Sequence, residues 1–535
     1  MQITRFIRRI WNGETEGVAA AAAIVSLASF ASRLLGVLRD RLLATNFGAG
    51  LELDAYYAAF RLPDFIYNLL IVGALSAGFI PLFTELKERQ NLAAALRFAG
   101  QALTLVGTAL VIACTLGIFA APLIVPLLAP GFDPEKQQIT TELTRIMFLS
   151  PLFLGISAIM GGVLQSTKRF FAFAFAPIFY NLGIIFGIVV LTPMLGLTGL
   201  AWGVVLGALV HGLVQYAAVR PLGILPLSRP SLAPLPIRRM LKLMIPRTAG
   251  LAVAQVNLVI ILFFASSLGE GSVSIFNLAG NLQSFPLGLI GVSFAIAAFP
   301  ALAQAIGSDR PELFRETLLS AARRILYFIL PLCVIFLLLR AQIVRVVLGD
   351  GRFDWNDTRR TLEVFALLTI ALPAQALTQL FVRGLYALQQ VWTPFVIGCV
   401  SELATILVAW LSYGAWGIDG LAWAIVIGSA LQVLCLAFVL YRKKYLNVCT
   451  FANLRFVLGM ALALSMQIGV TYLVRQQIGH WLFPLSRAWM VFVQGAVAGV
   501  AGGVFFLAIT KAMGLPEANM WIALKKKLIR NQGQK

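Results

Sequence analysis

Charge is scarce in this chain: Asp, Glu, Lys and Arg make up 12% of 535 residues, while 60% are hydrophobic. Soluble domains carry about 25% charged and about 45–50% apolar residues, which excludes a water-soluble fold. Segments that alternate apolar and polar residues are missing too, and that excludes a transmembrane β-barrel. Histidine occurs twice, as His211 and His480, with no HExxH. The five cysteines (Cys114, Cys333, Cys399, Cys435, Cys449) stand singly, with no CxxC. Neither a metal-ligand spacing nor a disulfide framework results, so the thiols read as packing residues and no metal or cofactor is expected. No Gly-Lys dipeptide is present, hence no Walker A motif. No Ser/His/Asp or Cys/His grouping has an aqueous setting, so the chain is not read as an enzyme. Any transport would draw on an ion or voltage gradient, or on the substrate's own gradient.

What is abundant is apolar runs long enough to cross about 30 Å of hydrocarbon as helices. They predict an all-α polytopic membrane protein of about fourteen spans, at 18–45, 55–84, 93–127, 140–166, 170–194, 198–219, 238–268, 271–305, 313–348, 360–390, 394–414, 418–441, 451–475 and 485–512. Several exceed the usual ~20 residues, so tilted or broken helices are expected. The net charge of +20 sits mostly in alternate short loops: Lys87/Arg89, Lys168/Arg169, Arg220/Arg229/Arg238/Arg239, Arg310/Arg315, Arg442/Lys443/Lys444 and Lys525–Lys527. That is the positive-inside pattern, with both termini cytoplasmic, rather than a nucleic-acid footprint. "GDGRFDWNDTRR" near 349–360, with Arg475 and Arg487, breaks the pattern on the outer side. At the N-terminus, Ile3, Phe6, Ile7, Ile10 and Trp11 share a helical face opposite Arg5, Arg8 and Arg9, as an interfacial amphipathic helix does.

A repeat is visible. "GLAWGVVLG" (199–207) returns as "GLAWAIVIG" (420–428), 221 residues later, and "GVLQS…AP" is paralleled by "GLYALQQVWTP". Spans one to six and seven to twelve therefore read as two pseudo-repeated six-helix lobes in one orientation, with two C-terminal helices appended. The expected organisation is a cytoplasmic amphipathic N-terminus (1–17), N-lobe (18–219), cytoplasmic linker (220–237), C-lobe (238–441), C-terminal spans (442–512) and basic cytoplasmic tail (513–535). Two-lobe proteins of this kind are commonly alternating-access transporters with substrate sites near the midplane. A scaffold or channel would leave the embedded charges unexplained.

Those charges are costly: a central Arg or Asp costs about 2.5–3.5 kcal/mol on insertion scales. In span one, Arg33 and Asp40 share a face, with Arg39 a third of a turn round and Gly36 one turn from Arg33. In span two, Asp54, Tyr57, Arg61, Asp64 and Asn68 form a polar stripe, with a bend expected at Pro63. Asp40, Arg41, Asp54 and Asp64 each read equally as structural charges, near the outer membrane surface or clamping helices, and as part of a functional polar face. Arg33, far from either loop, reads as a cavity residue for an anionic substrate, because Arg binds phosphate bidentately and keeps its proton. Arg247 in "LMIPRTAGL" offers a second-lobe cation. Glu402 in "CVSELATIL" is either a proton or cation site or a carboxylate paired by a neighbouring helix, and Asp64 is likewise a coupling or structural carboxylate.

The stretch "SRLLGVLRDRLLATNFGAGLELDAYYAAFRLPDF…GALSAGFIPLFTE" resembles the N-terminal signature of the MurJ (MviN) family of lipid II flippases, in the MOP exporter superfamily. "GVLQSTKRFFAFAFAPIFYN", "GSVSIFNLAGNLQSFPLGLIGVSFAIAAFPAL" and "GLYALQQVWTP" are similar to further blocks of it. The resemblance implies two six-helix lobes, plus two last helices whose groove (here Leu454 to Leu507) takes a polyprenyl tail. It implies flipping of undecaprenyl-diphosphate-linked peptidoglycan precursor to the outer leaflet of the inner membrane by alternating access. It also implies lipid II or a related polyprenyl-diphosphate lipid, membrane lipids and cell-wall synthesis enzymes as partners of a monomer. Arg33, Arg39, Asp40, Asp54 and Arg61 match family positions. Tyr67, Val72, Asn281 and Ser284 replace charged ones, and the sodium-ligand positions fall on Ile261, Thr405 and Ala409. Diphosphate recognition is therefore expected from Arg33, Arg39, Arg61 and Arg247, with neutral hydrogen bonds from Asn277, Asn281 and Gln283. The alternatives are a flippase for another polyprenyl-linked oligosaccharide, a multidrug/cation antiporter of the superfamily, and a non-transporting cell-wall scaffold.

Overall fold

The computed structural model describes residues 18–72, 78–223, 229–446, 451–481 and 487–519. The amphipathic N-terminus at 1–17 and the tail from 520 lie outside the described residues, as do the side chains of Val72 and Arg247. Among the described residues the chain is helical throughout, without strands, and its contacts divide into two compact units, Met1–Ser274 and Ile275–Lys535.

In the first unit, α1 (Val18–Phe47) is followed by α2 (Leu51–Tyr67), which loosens into a π-turn at Asn68–Val72. Pro63 sits inside α2, and the irregularity falls one turn beyond it. Next come α3 (Ile80–Arg89), α4 (Leu92–Leu128), α5 (Pro134–Met147), α6 (Leu149–Ser166) and α7 (Phe170–Phe186), the last running into a π-turn at Gly187–Leu191. The short α8 (Thr192–Leu195), α9 (Thr198–Val219) and α10 (Leu235–Ser266) complete the unit, with the first turn of α11 (Ser272–Pro286). Helix starts follow their capping residues. Asn91 accepts from Ala94 N at 2.8 Å at the start of α4, and Asp133 accepts from Lys136 N at 2.9 Å ahead of Pro134 in α5. Each side chain satisfies a backbone donor that the first helical turn leaves orphaned. Span seven, which opens the second repeat in sequence, is α10 here and packs on α2, α4 and the Asn68–Val72 turn.

The second unit continues α11 through a π-turn at Leu287–Val292 into α12 (Ser293–Gly307). It then holds α13 (Pro311–Leu338), α14 (Arg340–Val347), α15 (Trp355–Ala387), α16 (Trp392–Arg442), α17 (Phe451–Trp481) and α18 (Ala488–Ala512). Its core gathers Phe314, Leu318, Ile325, Leu372, Leu380 and Leu440. In both units large apolar side chains also face outward, Phe119 on α4 at 76% exposure and Leu411 on α16 at 64%. A soluble protein would bury such positions, whereas lipid is their natural solvent.

Ten helices among the described residues are long and apolar enough to cross a membrane, and Gln255–Ser266 is a shorter apolar segment. The expected fourteen differ from this number for identifiable reasons. Helix α2 has only 17 residues before its π-turn, and α1 carries Arg33, Arg39, Asp40 and Arg41. The α16 stretch is two helices that meet at Gly417, whose φ of +57° breaks the helical path, and they correspond to the two expected spans 394–414 and 418–441. Straight, the 51 residues would run about 77 Å, more than twice the hydrocarbon thickness.

The repeated words lie where helices touch most closely. A Cβ on Gly203 of α9 would come within 2.5 Å of Gly187 Cα, and one on Gly207 within 2.5 Å of Tyr180 O. In the second copy, Gly420 meets Ser412 and Gly428 meets Thr405. Small residues that admit a neighbouring backbone are the usual device of membrane helix pairs.

Candidate substrate-binding face

The first-unit site is built on α1, α2 and α7. Arg39 lies one residue before Asp40, and the guanidinium folds back on it: Nε and NH2 donate to Asp40 Oδ1 at 3.0 and 2.8 Å. NH1 reaches across to Asn181 Oδ1 on α7 at 3.3 Å. Asn181 in turn donates to Ser32 Oγ at 3.2 Å and to Pro177 O at 3.2 Å, so one amide ties α7 to α1 and fixes the arginine between them. Asp40 is buried, and Arg39 keeps about a quarter of its side-chain surface (23%).

The phenols of Tyr56 and Tyr57 on α2 lie within electrostatic range of Arg39, and Tyr57 is also within range of Arg61. Tyr56 and Tyr57 are buried and meet edge-on at 5.4 Å between ring centroids. Arg61 and Asp64 are half-buried one turn apart on α2, and Asn68 donates back to Asp64 O at 2.9 Å. Arg33 lies about 10 Å along α1 from Asp40, at 1.5 Å per residue. It is half-buried and has no hydrogen-bond or ion-pair partner among the described residues. Three arginines (Arg33, Arg39, Arg61) against two carboxylates (Asp40, Asp64) leave these side chains net cationic by one.

Asp54, placed on the same stripe by its spacing, does different work. It is fully buried, and its two oxygens take four donors: Gly271 N at 2.8 Å, Ser274 N at 2.7 Å, Ser274 Oγ, and Lys136 Nζ at 2.7 Å. The Lys136 ammonium also lies 4.3 Å from the centre of the Phe132 ring. Nearby, Leu51 N donates to Glu270 Oε1 at 2.8 Å. Asp54 is thus a clamp between α2, α5 and the start of α11, with its acceptor capacity used.

In the second unit, Asn281 and Ser284 are exposed on α11, and Ser284 Oγ donates to Asn281 O at 2.9 Å. Asn277 is half-buried on the same helix. Gln283 is turned inward and donates to Gln375 Oε1 at 2.9 Å, so it is spent on helix packing rather than offered outward. Glu402 is half-buried on α16. Thr405 is buried and bonds its own helix at Ser401 O, while Ile261 and Ala409 are buried apolar residues. Arg247 lies in α10, with its side chain outside the described residues.

The structure therefore brings Arg39 and Asp40 together with Tyr56, Tyr57 and Arg61, and leaves Arg33, further along α1, without a polar partner among the described residues. Sequence reasoning missed Asn181 and Lys136. A lone Asn one turn after Pro177 in the otherwise apolar "FAFAPIFYN" was the available signal for the first. Nothing marked Lys136, which reads as a loop lysine.

A family model described as "Lipid II flippase MurJ" matches residues 43–493. A probable lipid II flippase MurJ of Rhizobium tropici is 31% identical over 431 residues, covering 78% of this chain and 80% of that protein. The lipid II flippase MurJ of Burkholderia cenocepacia is 30% identical over 460 residues, 83% and 88% of the two chains. Among solved structures, a lipid II flippase MurJ in an inward closed conformation superposes with a TM-score of 0.74 at 24% identity, covering 92% of this chain and 98% of the other. An inward-facing MATE-family multidrug transporter of the MOP superfamily follows with a TM-score of 0.64 at 18% identity, covering 77% and 94%. At those identities the two structures speak for the fold alone.

Proposed function

The chain belongs to the lipid II flippase MurJ family, and from that premise we propose that it moves lipid II from the inner to the outer leaflet of the inner membrane. The observation that carries the reading is the cationic face of α1 and α2, where Arg33 has no polar partner among the described residues and Arg39 is held by Asp40 and Asn181. Arg33, Arg39 and Arg61 receive the diphosphate, and Arg247 adds a further cation. A diphosphate suits them because guanidinium forks match phosphate oxygens and stay charged. Asp40 and Asp64 hold the arginines in place, and Asp54 holds the helices that present them. Asn277 and Asn281 supply neutral hydrogen bonds, and Glu402 is a structural carboxylate of α16.

The tail has a matching surface. Val470, Val497, Val500, Val504, Phe505 and Ala508 line an apolar groove of about 660 Å³ on α17 and α18. Transport proceeds by alternating access of two repeated lobes, 18–219 and 238–441, in a monomer with cytoplasmic termini that works beside cell-wall synthesis enzymes. Contacts to the lipid must differ between the two states for the lipid to shift their balance. The neutral Tyr67, Asn281 and Ser284 favour, as a second reading, a related polyprenyl-diphosphate lipid with a different headgroup.

The test is a leaflet-accessibility assay for lipid II in cells that rely on this protein alone. Outer-leaflet lipid II should appear with the wild type and fall sharply with Arg33→Ala and Arg39→Ala at equal expression. Lipid II that stays cytoplasmic with the wild type sinks the reading. Full transport by both variants removes the arginines from it.

A further inference from the structure

A second lipid-facing feature lies on other helices of the first unit. Between α4, α6 and α9 runs a groove of about 370 Å³ walled by Leu103, Phe153, Ile156, Met160, Leu209 and Leu213. Ile156 (39% exposed) and Leu213 (54%) open it toward the outside of the bundle. Along α9 it passes Gly212 and ends at Tyr216, Arg220 and Gly223. Its walls are apolar and its one charged lining residue stands at the end.

That end carries a basic rim. Lys87 Nζ donates to Ser166 O at 3.5 Å and Arg169 NH1 to Ala218 O at 3.1 Å, which gathers Lys87, Lys168 and Arg169 near the end of α9. Of the two acids on α3, Glu85 is already held by Arg239 at 3.0 Å and Arg89 at 3.3 Å, and Glu88 is exposed, so Lys87, Lys168, Arg169 and Arg220 still outnumber the acids here. Arg220 is exposed and has no side-chain partner among the described residues. The positive-inside rule puts such a rim at the cytoplasmic membrane surface, where an exposed tyrosine such as Tyr216 sits at headgroup depth.

We propose that this groove is a binding site for a membrane phospholipid with an acidic headgroup. One acyl chain lies along the wall from Leu209 to Leu103, and the phosphate meets Arg220. A neutral chain alone would need no free guanidinium at its end. A soluble anion would need no apolar trough behind it. An acidic phospholipid of the cytoplasmic leaflet meets both features, and holding it braces α4 and α6 against α9.

The test uses the full chain, delipidated in detergent and then offered nanodiscs of dioleoyl-phosphatidylglycerol or dioleoyl-phosphatidylcholine, with retained lipid counted by native mass spectrometry. The wild type should retain one phosphatidylglycerol about fivefold in preference to phosphatidylcholine, the worth of one surface arginine. Leu213→Trp fills the exposed wall and should abolish retention of both. Gly212→Leu is a second filling variant; a Cβ there meets only ordinary contacts, the nearest 3.5 Å away at Phe153 O. Arg220→Gln should keep the chain bound but erase the preference. Equal retention of the two lipids by the wild type overturns the proposal, as does unchanged retention in both filling variants. Displacement of the phosphatidylglycerol by a polyprenyl phosphate also overturns it, because the groove would then belong to the carrier lipid.

Discussion

The Lys136 ammonium lies 2.7 Å from an Asp54 carboxylate that has no exposed surface. Lys136→Met keeps the apolar stem and its contact with Phe132 but removes the charge. Taking away one partner of a buried ion pair costs about 3–5 kcal/mol, because the other charge stays behind without compensation. Three donors remain on Asp54, from Gly271 N, Ser274 N and Ser274 Oγ. The loss should therefore sit at the low end, ~3 kcal/mol. At about 2.1 cal/mol/K of unfolding entropy per residue, a chain of 535 residues shifts by about 1 °C per kcal/mol, so the thermal midpoint of the purified protein should drop by ~3 °C. Intrinsic fluorescence in detergent reads this midpoint, and a cycle with Asp54→Asn separates the pair from packing. The double variant should cost less than the sum of the singles by at least ~1 kcal/mol, since removing both charges leaves neither stranded. A Lys136→Met midpoint within about 1 °C of wild type, or strict additivity in the cycle, would refute the clamp.

Gly203→Ala forces a Cβ against Gly187 Cα and should cost about 1–3 kcal/mol as overpacking, whereas Gly36→Ala, with nothing within 4 Å, should leave the same melting midpoint unchanged. Asn181→Leu removes the α7 partner of Arg39, and a hydrogen bond to a charged group is worth about 1.5–3 kcal/mol. It should lower lipid II transport in the leaflet assay while surface expression holds, and wild-type transport would show that Arg39 needs no orientation. Arg33→Lys keeps the charge but loses the planar fork. It should weaken binding of a polyprenyl diphosphate, in competition measurements, more than binding of the monophosphate; equal weakening would assign Arg33 a purely electrostatic role.

How much of this was legible beforehand depended on whether a feature belongs to one helix or to two. The Arg39–Asp40 pair follows from positions along α1 alone, and the Arg61–Asp64 turn from positions along α2 alone. The repeat was legible for a related reason. Gly199, Gly203 and Gly207 must stay small because backbone of the preceding span lies against them, so the words that encode a tight pair survive in both copies. Features formed between helices were not visible. Helical spacing put Asp54 on the stripe of Arg61, but spacing cannot say that Lys136, Gly271 and Ser274 would close around it. Asn181 was hidden likewise, since which helix lies beside α1 is a tertiary fact. The break between the spans at 394–414 and 418–441 was legible, because Gly417 stands between them and its positive φ ends the first helix there.

The same distinction sorts the arginines by role. Arg39 already uses three of its five N–H donors, two on Asp40 and one on Asn181, so a ligand meets a guanidinium whose charge is largely answered and whose plane is fixed. Arg33 has all of its donors open among the described residues and no carboxylate beside it. A dianionic group arriving at this face gains most from Arg33, because no existing bond must be broken there first. Arg39 contributes a preset geometry, since Asp40 and Asn181 restrict its rotamers before any ligand arrives. Charge spread unequally in this way also addresses the cost of keeping arginines in a membrane span. Both are half-buried, and the one at Arg39 is neutralised by its neighbour Asp40. A flippase must release the headgroup it binds, and on the proposed reading one open arginine along α1 from a pre-paired one would give a contact that selects diphosphate without holding it permanently.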